Sequence, residues 1–379
     1  MNPFKLIRKK INTLKQNMIK QEQNTWCFVP YGDDFTGNIK AVFEQAKKEN
    51  IKIVILTSSI SFIKYQEHSI IINSAINKYF FESSVIICDQ MLSIYRFFKY
   101  IDLKKKPIVN VWHGIPIKNM FRTSIQNSNP FLQHEDFNFH IIASSESDAI
   151  SMGKSFGIPK SKVHITGLPR IDFLFSTFDC MKEEEKKINE LTINKKLILF
   201  APTWRDDNNS YYQFSNDELI NLSNFLIKFN CIIGIREHFH HKNNSYYNQL
   251  SSIGAINLDN REFTNIEVLL KKASLLITDY SSCYFDFLFL RKPCISFSFD
   301  YIKYNNKERG FLYDLHDVFE RKLCFRFQDV INELENIMKS THLQENDCLK
   351  FNKFFKFNDN LNTNRVISLV KQLTFSKHT

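Results

Sequence analysis

Residues 275–290 read Leu-Leu-Ile-Thr-Asp-Tyr-Ser-Ser-Cys-Tyr-Phe-Asp-Phe-Leu-Phe-Leu. A short apolar run stops at Thr278, a polar turn follows, and an apolar-rich stretch of helical length begins near Ser282. That is strand, turn, helix. A parallel sheet needs this order, because its strands are joined by helical crossovers. Serine near a helix start suits an N-cap, and the free amides there favour anions. Capping explains one serine. It does not explain the whole polar string Thr278-Asp279-Tyr280-Ser281-Ser282, which makes Thr278, Asp279, Ser281 and Ser282 candidates for holding a phosphate. Asp279 and Asp286 are candidate acceptors for ribose or acceptor hydroxyls.

The same rhythm runs outward in both directions. Apolar runs at 26–29, 52–56, 85–88, 108–111, 140–143 and 163–166 predict one set of strands, and runs at 197–201, 231–235, 275–278 and 294–297 a second. Helical patterns lie between them at 38–48, 146–156, 217–228, 264–272 and 282–290. The mixed-charge segment 181–194 separates the sets. The expectation is α/β: two doubly wound, Rossmann-like domains facing a central cleft, with ligands at the carboxyl ends of the strands. The boundaries are 1–20 for a basic amphipathic helix, 21–190 for the N-terminal domain and 191–379 for the C-terminal domain with its closing helices.

Polar strings recur at the strand ends. Val-Trp-His-Gly-Ile-Pro-Ile-Lys at 111–118 places His113 on a constrained turn, where an imidazole can take a proton from a hydroxyl, with Lys118 beside it for a phosphate. Ala-Pro-Thr-Trp-Arg-Asp at 201–206 offers Arg205 to an anion. At 235–241, Ile-Arg-Glu-His-Phe-His-His offers Arg236 and His238. Three histidines there suggest metal, but neither a zinc-protease spacing nor a carboxylate partner accompanies them, so diphosphate oxygens are the better match. Arg309, before Gly310, is a further anion candidate. No P-loop, dinucleotide fingerprint or nucleophile elbow is present.

Composition narrows the class. The 379 residues carry a formal charge of +10, which favours anionic partners. Nine glycines exclude collagen-like and linker-rich chains. Eight cysteines without a Cys-x-x-Cys pair read as free thiols in a reducing cytosol. No uncharged apolar stretch reaches the length of a membrane span, and the N-terminus lacks a secretion signal. Instead Phe4, Ile7, Ile11, Leu14 and Met18 fall at helical spacing among lysines and an arginine, the pattern of a helix lying on an anionic membrane.

Taken in order, the strings 112–118, 143–146, 166–172, 201–206, 236–238, 278–282 with 285–286, and 309–310 resemble the CDP-glycerol glycerophosphotransferase family, the teichoic acid primases and polymerases and their capsule relatives. The resemblance spans about 108–313. It implies a GT-B-like architecture, with acceptor binding in the N-terminal domain and donor binding in the C-terminal one. It implies transfer of a polyol phosphate, glycerol phosphate first, from a CDP-linked donor to a hydroxyl of a lipid-linked or glycan acceptor. The setting is the inner face of a bacterial membrane, where the enzyme would act as a peripheral cytoplasmic protein.

His113 would be the base and His238 a second catalytic group. Arg205, Arg236, Thr278, Asp279, Ser281, Ser282 and Arg309 would hold the donor, and Lys118 would contact phosphate or acceptor. No metal or other cofactor is required by this reading, and a helper Mg²⁺ is compatible with it. Phe239 departs from the proline that the family usually carries after the histidine. The length suggests a primase or a capsule- or glycan-modifying transferase rather than a large polymerase. Two competitors are a glycosyltransferase of the same fold using a sugar nucleotide, and a nucleic-acid binder. The second is disfavoured because the cations are spread along the chain rather than clustered.

Overall fold

In the computed structural model the described residues are 3–91, 97, 101–104, 106–124, 137–176, 178–205, 211–237, 245–340 and 348–375, with side chains from residue 9 onward and not at 348. They form two compact units. The first comprises Met1–His113, Asn129–Phe173 and Lys356–Thr379, and the second Gly114–Ser128 and Leu174–Phe355.

The first unit holds a seven-stranded, all-parallel sheet. Its strands are β1 (Glu22–Val29), β2 (Lys52–Leu56), β3 (Ile70–Ile72), β4 (Ser83–Cys88), β5 (Ile108–Asn110), β6 (Phe139–Ala143) and β7 (Val163–Ile165), in the order β3-β2-β1-β4-β5-β6-β7. β4 to β6 are buried throughout, as strands covered on both faces must be. The second unit holds β8 (Lys196–Ala201), β9 (Cys231–Ile235), β10 (Ile256–Asn257), β11 (Leu275–Thr278) and β12 (Cys294–Ser296), all parallel, in the order β10-β9-β8-β11-β12. Both orders reverse direction once, between β1 and β4 and between β8 and β11. At such a switch point adjacent loops diverge and leave a crevice at the strand ends.

Two of the four edge strands, β3 and β10, carry no signal that the sequence reading picks up. They have three and two residues respectively and complete the sheets only through pairing with β2 and β9. The other strands match the expected runs within a few residues.

Three segments depart from the expected domain division. The mixed-charge stretch is no linker. It forms the helix Lys182–Leu191, and Glu184 accepts hydrogen bonds from the backbone and side chains of Thr264 and Asn265. Four such bonds order the segment within the second unit. The closing helix Asn362–Phe375 belongs to the first unit instead. Buried Asp172 accepts from the amides of Asn362 and Thr363 and from both their side chains, satisfying donors that a helix start leaves open. Gly167, at φ 75°, sits so close to Asn362 that a Cβ would fall 1.8 Å from its Oδ1, so only glycine fits. Finally, residues 114–124 leave the first unit just after His113. Asn119 N–H donates to Gly310 O and Leu312 N–H to Ile117 O, with Lys118 bridged to Phe311, so this strap is part of the second unit.

Candidate active site: a constrained histidine turn and a buried cation cluster

In the first unit the chemistry gathers where β4 and β5 end. The chain leaves β5 through Val111 and turns at Trp112, whose φ of 47° is left-handed. A large side chain rarely adopts that region, at a cost on the order of 1–3 kcal/mol. Named bonds hold it there. Asn110 Oδ1 accepts from Trp112 N–H, and Asn38 Nδ2 donates to Val111 O and Trp112 O. Arg170 Nη1 donates to His113 O at 2.6 Å, while its own amide donates to Asn38 Oδ1. The indole lies against the His113 ring with centroids 4.1 Å apart, and Phe156 meets its other side edge-on. Gln90, just beyond β4, reaches His113 Nδ1 at 3.1 Å. Next to it Asp89 is buried and accepts from Tyr31 N–H, and burial raises its carboxyl to about 7. His113 itself is exposed.

The sequence reading singled out His113 but not its supports Asn38, Gln90, Asn110 and Arg170. Arg170 was within reach, since it lies in the 166–172 string. Asn38 lies 75 positions away and Asn110 inside the apolar run 108–111, and neither carries a signature.

In the second unit three turns meet around Arg205. Its side chain is 2% exposed. Nε donates to Asp300 at 2.7 Å, Nη2 to Asp279 at 2.8 Å and to Asp300 at 3.0 Å, and Nη1 to Thr203 O at 2.7 Å. Its guanidinium also lies over the rings of Tyr280, Tyr304 and Phe299. Burial works against the charge, but Asp279 and Asp300 outweigh it and hold the guanidinium more firmly protonated than usual. Every guanidinium nitrogen of Arg205, an expected donor contact, is bonded within the protein.

Asp279 is likewise committed. Oδ1 accepts from the amides of Thr203 and Tyr280, and Oδ2 from Arg205. Thr278 is fully buried and its hydroxyl donates to Ala201 O. Both expected donor contacts hold the turns through these bonds. Asp300, which the sequence reading passed over, completes the ion triad. Asp286 is buried in the helix Cys283–Phe289.

Lys118 and Arg309 are different. The strap pairing brings Lys118 into the electrostatic reach of Arg309 and Arg205. Burial first, and then Arg309, push its ammonium down, Asp279 opposes them, and it comes to about 8. Lys118 thus belongs with the second unit, not with the N-terminal domain to which the sequence boundaries assigned it. Gly310 makes the pairing feasible: at φ 65°, a Cβ there would meet Asn119 Nδ2 at 3.0 Å and Asn305 O at 3.2 Å.

Ser281 and Ser282 are half-buried at the start of the helix Cys283–Phe289. Ser282 holds the N-cap position without a capping side-chain bond, and Ser281 Oγ accepts from Cys283 N–H at 3.5 Å. Arg236 is buried at the end of β9 and donates to Leu258 O; burial lowers it to about 10 against the pull of Glu184, Glu267 and Asp259. Glu237 accepts from the amides of Tyr246 and Tyr247, fixing the start of the helix Ser245–Leu250. Asp206, His238, Phe239, His240 and His241 lie outside the described residues. Among the described residues no three His, Cys, Asp or Glu side chains group as a metal site.

A family model, CDP-glycerol:poly(glycerophosphate) glycerophosphotransferase, matches residues 11–372. A teichoic acid ribitol-phosphate polymerase of Staphylococcus aureus is 27% identical over 273 residues, covering 70% of this chain and 47% of that protein. A teichoic acid glycerol-phosphate primase of Bacillus subtilis is 25% identical over 314 residues, covering 77% of this chain and 74% of that one. The chain spans about half the length of several of the polymerases it matches. Among solved structures, the wall teichoic acid polymerase TagF superposes with a TM-score of 0.74 at 18% identity, over 99% of this chain and 94% of that chain. The fold is accordingly GT-B-like.

Removing one member of a buried ion triad leaves the others unpaired. Asp300→Ala should destabilise the protein by about 3–5 kcal/mol, read as a lower denaturant midpoint. An unchanged midpoint would mean that the triad does not hold the three turns together.

Proposed function

The chain belongs to the CDP-glycerol:poly(glycerophosphate) glycerophosphotransferase family, and from that premise we propose that it transfers a polyol phosphate, glycerol phosphate first, from a CDP-linked donor to a hydroxyl of a membrane-linked or glycan acceptor, releasing CMP. The observation that carries this reading is the charge balance of the second unit's strand ends. Arg205 is paired with two carboxylates, and backbone pairing of Lys118 with Phe311 brings Lys118 within the electrostatic reach of Arg309, which together with burial pushes its ammonium down. Two like charges held close in a partly desolvated place suit a dianionic ligand such as a pyrophosphate.

In the reaction, His113 takes the proton of the acceptor hydroxyl as its oxygen attacks the β-phosphorus. The bond from that phosphorus to the bridging oxygen breaks, and the electron pair leaves with CMP. The product is a phosphodiester. Lys118 and Arg309 meet the charge that grows on the non-bridging and leaving oxygens, with the hydroxyls of Ser281 and Ser282 and the side chains of Arg236 and His238 as further donor contacts. Arg205, Thr278 and Asp279 keep the turns in shape. Preorganised donors of this kind are the main source of rate in phosphoryl transfer.

The N-terminal helix Pro3–Met18 supports association with a membrane surface. It docks on its own unit through polar residues: Asn12 is 4% and Gln16 7% exposed, and Gln16 donates to Asp102 O. The apolar residues Ile11, Leu14 and Met18 face out instead, 47%, 64% and 86% exposed, beside exposed Lys9, Lys10 and Lys15. That inversion leaves an apolar strip edged with positive charge, the composition of a helix lying in an anionic interface. Among the described residues no helix is long and apolar enough to cross a bilayer.

CMP release should be found with CDP-glycerol or a related CDP-polyol and a suitable acceptor, with a phosphodiester in the product; a glycosidic product from a sugar nucleotide would overturn the reading. His113→Ala should lower transfer at least ~100-fold with donor affinity kept, and near-normal turnover would remove the base. Donor affinity should weaken as pH climbs through about 8, where Lys118 loses its proton, and Lys118→Arg should flatten that slope. Leu14→Glu with Met18→Glu should abolish co-sedimentation with anionic vesicles while sparing turnover of a soluble acceptor, and unaltered sedimentation would dismiss the interfacial helix.

A further inference from the structure

The bonds that hold the His113 turn go mostly to its backbone, but one goes to the imidazole. Gln90 extends from the end of β4 and sets its side-chain amide 3.1 Å from His113 Nδ1. The indole of Trp112 covers a face of the same ring at 4.1 Å. Ring plane and ring rotation are thereby both specified. Charged groups near the turn include Asp89, adjacent to Gln90 and tied to Tyr31 N–H, and Arg170, whose Nη1 donates to His113 O.

We propose that Gln90 is a positioning residue for His113, and that its amide selects which ring nitrogen carries the proton. An imidazole in its neutral form has one N–H and one acceptor nitrogen, and the partner of one nitrogen decides the state of the other. In the arrangement seen, the amide N–H of Gln90 donates to Nδ1. The proton of the neutral ring then resides on Nε2, which is a donor, suited to a phosphate oxygen. A half-turn of the amide presents its carbonyl oxygen in the same place. That oxygen accepts from Nδ1–H, and Nε2 becomes the acceptor that a base requires. The change moves one proton from Nε2 to Nδ1 by exchange with solvent, and nothing else is gained or lost. A carboxylate at position 90 would permit only the second state. A glutamine permits both, so the same histidine can first meet an anion and then take a proton. The catalytic half of this inference rests on His113 acting as the base, and the tautomer half does not.

The test uses the full-length protein with ¹⁵N-labelled histidine, with Gln90→Glu and Gln90→Met compared to the unaltered chain. In the unaltered protein without donor, the His113 ring should show its proton on Nε2, and in Gln90→Glu on Nδ1. The same protonated nitrogen in both would overturn the proposal. Gln90→Met, which keeps length but loses the amide, should lower kcat about tenfold, a fraction of the ~100-fold expected for losing the base, with KM for the donor unchanged. Gln90→Glu should restore most of kcat and move the acidic limb of the pH–rate profile upward, because the carboxylate favours the protonated ring. A Gln90→Met enzyme with unchanged ring resonances and unchanged kcat would overturn the proposal. Altered resonances with unaltered kcat would uphold the tautomer control and remove His113 from the base role. Should Gln90→Met fail to fold, the Gln90→Glu spectrum decides alone.

Discussion

The second unit depends on keeping one guanidinium charged in a place without water. Arg205 loses its hydration and regains it as two carboxylates, a backbone carbonyl and three aromatic rings. Taken alone, such a triad contributes little net stability, because the desolvation of three ions offsets their attraction. Its value is geometric. Thr203, Asp279 and Asp300 come from the turns after β8, β11 and β12, and a planar guanidinium bonds to all of them in a single arrangement. Arg205 is thereby neutralised within the protein by Asp279 and Asp300.

The first unit holds its own turn with two side-chain amides and one guanidinium. Trp112 sits in a strained backbone region, and amides from Asn38 and Asn110 together with Arg170 compensate. Side-chain bonds to the backbone N–H of Trp112 and to the carbonyls of Val111, Trp112 and His113 fix this turn. Hydrogen-bonded rigidity of this sort is what a reactive group needs in order to meet a substrate in one orientation.

The short strap after His113 connects these two designs. His113 and Lys118 are five positions apart in the chain, yet they belong to different compact units. The strap owes its membership to three backbone contacts with residues 310–312 and to the absence of a side chain at Gly310. A reading by sequence distance places Lys118 with His113; a reading by hydrogen bonds places it with Arg309.

Periodicity was enough for the parallel α/β architecture, for ten of the twelve strands and for the locations of His113, Lys118 and the Thr278–Ser282 turn, because alternating apolar runs and polar strand ends are local properties of the chain. The edge strands β3 and β10 were not legible and join the sheets through pairing with β2 and β9. Whether a cation is available to a ligand was not legible either. Arg205 and Arg309 look alike in sequence, and only the folded chain brings Asp279 and Asp300 to one and Lys118 to the other. The same holds for Asn38, Gln90 and Arg170 around His113, and for Asp172 at the start of the final helix. Residue type sets what a side chain can do, whereas its partners, drawn from distant parts of the chain, set what it is still free to do.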